Sequence, residues 1–309
     1  MGELRGYREL REAAAWIDRG ARGKIRVRGE DRARLLHAMT TNHIEELTPG
    51  RGCYAFFLNA QGRILGDVNV LTLPDHFLLD TEPETKDMLY AHLDKYIIAD
   101  DVTLEDATAE LATLGIEGPK ASGVLASLGA PVPVEPYCHA DWDARIVTRI
   151  DSTGAGGFTL FAPASEMQEL ARALERAGAA PAHPEAARTV RLEHGKPRYG
   201  DEITEANLPQ ETEQMHAIHF YKGCYLGQEI VERIRSRGHV NRLLVRLELD
   251  SAEPPAAGSS LFREGREVGE IGSAVFSPAL GRVVALAYVR TEFVRDMAGF
   301  TTEPQRAQS

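Results

Sequence analysis

The sequence predicts an α+β protein made of two copies of one supersecondary unit, followed by a small all-β unit. Two stretches carry the duplication. IRVRGEDRARLLHAM (residues 25–39) and GIEGPKASGVLASLG (residues 115–129) each read as strand, glycine turn and helix. Val27, Gly29, Leu35 and Leu36 of the first match Ile116, Gly118, Val124 and Leu125 of the second. The all-β ending shows as a loss of helical period from Asn241 onward. These observations divide the chain into a duplicated α+β region, residues 1–240, of two halves joined by pseudo-twofold symmetry, and a small all-β unit, residues 241–309.

Each copy continues in the same way. In the first, VNVLTLPDHFLLDT is a hairpin about Pro74 and Asp75, and the helix after it places Leu89, Leu93, Tyr96 and Ile97 on one face. In the second, ARIVTRIDSTGAGGFTLFA is a hairpin with its turn at residues 153–157. Its helix carries Met167, Leu170, Leu174 and Ala177, with Gly178 as C-cap. In the last quarter VRLELD alternates, with Val245, Leu247 and Leu249 on one side and Arg246, Glu248 and Asp250 on the other. REGRE is a tight hairpin and RVVALAYV an apolar strand, the short-strand pattern of a small barrel or sandwich.

Composition narrows the function classes. With 43% hydrophobic and 26% charged residues the chain is globular, and no apolar run approaches the ~20 residues of a membrane span. The first twenty residues are charged and helix-patterned, without a signal-peptide core. Three scattered cysteines, Cys53, Cys138 and Cys224, make a disulfide framework unexpected and point to a reducing cytoplasm. A net charge of −11 argues against general nucleic-acid binding.

Four stretches are candidates for chemistry. KGCYLGQE (residues 222–229) sets Cys224 beside Lys222 and Gly223, ahead of a helix in which Ile230 and Ile234 share a face and Glu229 pairs with Arg233. A lysine and a helix N-terminus both favour a thiolate. A Cys–His hydrolase with His216, His219 or His239 as base lacks a nucleophile elbow, and HxxHxxxxC lacks the further ligand of a zinc site, so no metal is expected. In FFLNAQGRILGDVNVL, NAQG is a turn, and Asp67 and Asn69 share a strand face with Leu65 and Leu71, a pair able to hydrogen-bond a heterocycle. RLEHGKPRYGDEIT places Glu193 next to Arg191 at a glycine turn. Arg233, Arg235, Arg237 and Arg242 form a basic run that suits a polyanion such as RNA or a polyglutamate tail.

Together these segments resemble the YgfZ-type folate-binding proteins, paralogues of the glycine-cleavage T-protein (aminomethyltransferase). The resemblance spans nearly the whole chain: TTNHIEELTPGRGCYAFFLNAQGRILGDVNV, RLEHGKPRYGDEI, LPQETEQ, KGCYLGQE and GEIGSAVFSPALGRVVALAYVR follow in the family's order. It implies pseudo-twofold ferredoxin-like α+β domains arranged in a ring, the T-protein cloverleaf, with residues 1–240 as two intertwined subdomains, residues 241–309 as a small C-terminal β-barrel, and a central tetrahydrofolate pocket. By the same resemblance Glu193, with Arg191 beside it, holds the pterin, joined by Asp67 and Asn69. The octet Lys222, Gly223, Cys224, Tyr225, Leu226, Gly227, Gln228 and Glu229 carries the signature cysteine. The T-protein's adjacent acid pair falls on Gly66 and Asp67, so one acid is absent.

The resemblance implies a folate-binding accessory factor for iron–sulfur proteins, with Cys224 as functional thiol, iron–sulfur client or assembly proteins as partners and an indirect link to tRNA thiomodification. The alternatives are a folate-dependent aminomethyl transferase using Asp67, and an RNA-associated module using the basic run. The absent acid favours the first over the second.

Overall fold

In the computed structural model residues 4–294 and 299–302 are described, apart from the side chain of Arg237. The two matched stretches occupy equivalent places in two sheets. Strand Gly23–Arg28 leads through Gly29 into helix Arg32–Met39, and strand Leu111–Glu117 leads through Gly118 into helix Ala121–Ser127. Both glycines have φ near +100°, at +99° and +110°. A Cβ on Gly29 would lie 1.9 Å from the Asp101 carbonyl, and one on Gly118 2.8 Å from that of Ala13, so neither tolerates a side chain. Two residues past each glycine, the N–H groups of Asp31 and Lys120 donate to those same carbonyls, at 3.2 and 2.7 Å. The duplication thus extends to individual hydrogen bonds.

The first sheet has the order Gly52–Leu58, Ile64–Thr72, Phe77–Thr81, Gly23–Arg28, Thr103–Asp106. The second runs His139–Trp142, Arg145–Thr148, Gly157–Pro163, Leu111–Glu117, Ala15–Asp18, Ala180–Pro181. Position by position the orders agree, with one exchange of chain. The place of Thr103–Asp106 is taken in the second sheet by Ala15–Asp18, from the N-terminal end of the chain. The short strand Ala180–Pro181 then adds in parallel outside it. The subdomains are therefore interleaved.

Packing follows the apolar periodicity with local departures. Leu89 and Leu93 of helix Lys86–Tyr96 are fully buried, but Tyr96, expected on their face, is exposed at the helix end. Leu170 and Leu174 of helix Met167–Arg176 enter the second core, and Gly178 follows at φ +98°. Leu71, Leu78, Ile150 and Phe161 join the two sheets. Helix Pro184–Glu193 crosses to the last sheet, where Leu192 packs with Leu244, Val275, Leu286 and Tyr288.

That last sheet has the order Arg242–Leu249, Arg282–Arg290, Arg266–Ser277, Ser260–Arg263, Phe300–Thr301. Register shifts at Leu261/Phe262 and Ile271/Ser273 curl it over one apolar face. Among the described residues its two edge strands do not pair with each other, so it is a curled half-barrel rather than a closed barrel. No helix among the described residues is long and apolar enough to cross a membrane.

Candidate functional site

The two sheets, helix Pro184–Glu193 and the loop after it surround a cavity of about 660 Å³, within the usual range of small-molecule sites. Strand Ile64–Thr72 supplies its central polar pair, Asp67 and Asn69, both more than nine-tenths buried. The predicted face needs one correction. A bulge at Phe57/Leu58 shifts the register, so Ile64 rather than Leu65 continues the cavity side, and Leu65 packs into the core on the helix side.

The bonds made by this pair set its electrostatics. Asp67 Oδ2 accepts from the Tyr54 hydroxyl at 2.7 Å, while Oδ1 is buried without a partner. Asn69 Nδ2 donates to Asp80 Oδ2 at 2.9 Å, and Arg22 Nε donates to Asp80 Oδ1 at 2.6 Å. Arg22 also pairs with Glu82, which Arg198 reaches at 3.0 Å. Burial, reinforced by the charge of Glu82, pushes the Asp67 pKa up to about 6, against the opposing pull of Arg22 and the Tyr54 hydroxyl. Asp80 is as deeply buried, but the direct Arg22 bond holds it below the ordinary range. Neighbouring carboxylates are thereby driven apart, and Asp67 is the one able to exchange a proton near neutrality.

The absent acid at Gly66 reads differently in three dimensions. A Cβ on Gly66 would lie 3.0 Å from Leu89 and 3.3 Å from Thr85, under helix Lys86–Tyr96 on the face opposite the cavity. A carboxylate there would point into the core, so its absence removes nothing from this site.

Of the other expected residues, Arg191 lines the cavity, but its guanidinium is spent on Glu202 and Asp201, each at 2.7 Å, and on the Lys196 carbonyl. Glu193 is not among the lining residues. Its carboxylate is buried between Tyr7, Arg11 and Ser277, whose hydroxyl donates at 2.6 Å. It ties the N-terminal helix Tyr7–Glu12 to the half-barrel.

The octet at residues 222–229 also lies outside the cavity lining. Lys222 is buried, with Nζ donating to the carbonyls of His37, Thr40 and Asn42 at 2.5–2.7 Å. An ammonium has three donors, so none remains for Cys224, which is exposed. Tyr225 is buried, Gln228 accepts from its N–H, and Gly227 caps helix Gln228–Arg237 at φ +83°. Gly223 lies against His37, and Glu229 makes the expected pair with Arg233 at 3.0 Å. In that helix Val231 is fully buried, whereas Ile230 and Ile234 are half-buried.

The paired histidine motif is split. His216 lines the cavity and His219 stacks edge-on to His43. Among the described residues no group of three or more His, Cys, Asp or Glu side chains has metal-binding geometry. Arg233 and Arg235 lie on an exposed helix face, Arg242 pairs with Glu211, and the Arg237 side chain is outside the described residues.

Sequence reasoning missed Tyr54, Arg22, Glu82 and Tyr137. Tyr54 was within reach, since it lies opposite Asn69 across the NAQG hairpin. Tyr137 stands outside any strand or helix, at φ +62°, and left no periodic signal.

Two α+β sheets around a central cavity, with a curled β half-barrel against one connecting helix, define a T-protein-like class of fold. The chain belongs to that family. Residues 3–222 match the GCVT N-terminal domain, and residues 242–307 match the glycine cleavage T-protein C-terminal barrel domain. It is 32% identical over 295 residues to a Rubrobacter xylanophilus aminomethyltransferase, covering 93% of this chain and 78% of that protein. A Chloroherpeton thalassium aminomethyltransferase is 28% identical over 304 residues, covering 94% and 83%. The crystal structure of glycine cleavage system aminomethyltransferase T from Bartonella henselae superimposes with a TM-score of 0.84 at 24% identity, covering 93% of this chain and 81% of that one. That likeness concerns the fold.

Proposed function

We propose that this protein is a tetrahydrofolate-dependent one-carbon transferase of the aminomethyltransferase type, with Asp67 as its acid–base group. The observation that carries the reading is the unpartnered Oδ1 of Asp67, buried at the wall of a cavity of ligand size. A buried acceptor without a donor is costly, and a ligand N–H removes that cost. Reduced folate fits the residues present, since its pterin carries several N–H donors and a planar ring suited to a wall containing Tyr54, Tyr137 and His216.

When bound, tetrahydrofolate supplies the nucleophilic amine that receives the one-carbon unit. Asp67 would orient that amine and take up or return its proton, with Tyr54 holding one carboxylate oxygen and leaving the other free to accept. Arg22 and Glu82 set the proton affinity of Asp67 from behind.

The aminomethyltransferase relatives support this reading better than the accessory role for iron–sulfur proteins, for which no observation here speaks. The narrower YgfZ-type placement rests on sequence resemblance, with the octet as its most specific segment, and most of the octet's side chains are occupied in holding the chain. The acidic charge and the ion-paired arginines likewise leave the RNA-associated reading without support.

The test is a turnover assay for methylene-tetrahydrofolate from an aminomethyl donor, run beside a calorimetric titration with tetrahydrofolate. Asp67→Asn is expected to lose at least 10²-fold in turnover while remaining folded. Saturable folate binding without turnover in the wild type would return the protein to the accessory class. No binding of any reduced folate would end the folate reading.

A further inference from the structure

Three aromatic rings of the cavity wall are stacked with a histidine in the middle. The His216 ring lies within 24° of parallel to both Tyr54 and Tyr137, at centroid separations of 5.4 and 6.2 Å. Its Nε2 lies 3.1 Å from the Tyr137 hydroxyl, and Asn42 Nδ2 donates to its backbone carbonyl at 3.0 Å. Tyr54, stacked on the same ring, is the residue that donates to Asp67. Most neighbouring cations are committed: Arg22 to Asp80 and Glu82, Arg198 to Glu82 and Glu84, and Lys196 to Asp151. His216 Nδ1 has no partner among the described residues.

The Tyr137 contact favours one tautomer of the imidazole. A phenol is a stronger donor than an imidazole N–H, and burial pushes the Tyr137 pKa up, so it keeps its proton. Desolvation and the nearby Lys196 push the His216 pKa down, so the ring is neutral near pH 7. Tyr137 therefore donates to Nε2, and the ring proton resides on Nδ1.

We propose that His216 is a second ligand-binding residue of the central site: Tyr137 fixes its ring and tautomer, and its Nδ1–H donates to an acceptor on the reduced pterin, a ring nitrogen or carbonyl oxygen. This rests on the folate-dependent reading. It sets a donor in the same cavity wall as the unpartnered acceptor Asp67 Oδ1, so that both the donor and the acceptor groups of the heterocycle are met. His216 then discriminates between ligands that carry such an acceptor and those that lack it.

The experiment is a calorimetric titration of the full chain with tetrahydrofolate under reducing conditions at pH 7.5, using the wild type, His216→Phe, His216→Asn, His216→Gln and Tyr137→Phe. Phenylalanine keeps the stack and removes the donor, and weakening of about tenfold is expected. Asparagine places an N–H near the position of Nδ1 and is expected to stay within about threefold of the wild type, whereas glutamine, whose N–H reaches the Nε2 position, is not. Tyr137→Phe releases the tautomer and is expected to fall between them. Wild-type affinity in the Phe variant, or equal losses in the Asn and Gln variants, would overturn the proposal and leave His216 a packing residue. Should the Phe variant fail to fold, the Asn–Gln contrast carries the same decision. A wild-type protein that binds no tetrahydrofolate at all overturns the functional reading itself, and this role with it.

Discussion

Asp67 and Gly66 are adjacent in sequence and face opposite sides of one sheet, and that alternation separates chemistry from packing here. Asp67 meets the cavity, while position 66 meets Leu89 and Thr85. The raised pKa of Asp67 has a definite sign. The folded chain, with a value of about 6 against 3.8 as the reference, holds this proton more tightly than the unfolded chain. Its stabilising contribution is complete below about pH 4 and is lost as pH rises through about 6. Ionised Asp67 thus costs up to roughly 3 kcal/mol above neutrality. Asp67→Asn is expected to raise the thermal midpoint at pH 7.5, with the gain shrinking toward pH 4; an unchanged midpoint at pH 7.5 would mean that Arg22 and Tyr54 offset the burial cost in full. Turnover that needs the carboxylate should rise through pH 6 with a single ionisation, and a profile flat from pH 5 to 8 would remove Asp67 from that role.

At the scale of elements, the octet that looks most functional in one dimension is mostly a joint. Lys222 closes the C-terminal end of helix Arg32–Met39 by satisfying three carbonyls. Gly227 lets the next helix start against the NAQG turn, where a Cβ would come within 2.6 Å of the Asn59 carbonyl. Lys222→Met keeps the aliphatic volume and strands those carbonyls. It is expected to lower stability by about 2–3 kcal/mol, read from the urea midpoint, while leaving the alkylation rate of Cys224 near the wild-type value. A large drop in that rate would restore the lysine–thiolate coupling that the sequence suggested.

Across the whole molecule, Glu193 is the clearest case of a residue whose place changes its meaning. It gathers Tyr7 from the first helix, Arg11 one turn later and Ser277 from the half-barrel, so three parts of the fold meet on one carboxylate. Glu193→Ala is expected to cost about 2–3 kcal/mol and to speed hydrogen exchange in helix Tyr7–Glu12. Folate affinity in a variant that remains folded should change little. Loss of binding without loss of stability would instead return Glu193 to the pterin site. Strand Ala15–Asp18, which follows the first helix, pairs in the second sheet and shares an apolar cluster with Leu10, so loosening this junction should be felt in that sheet as well.

The amino-acid order alone determined the duplication, the strand–glycine–helix opening, hairpin and following helix of each copy, the change to an all-β ending and the shared strand face of Asp67 and Asn69. These depend on local propensity, glycine geometry and periodicity, which act within a few residues of chain. Tertiary structure alone decided which polar residues meet. Arg22 reaches Asp80, Tyr137 reaches His216 and Tyr7 reaches Glu193 across separations of 58, 79 and 186 residues. No periodicity encodes such contacts. The orphaned oxygen of Asp67, the turn of position 66 into the core and the capture of Lys222 by backbone carbonyls all arise from which surfaces the sheets bury against one another.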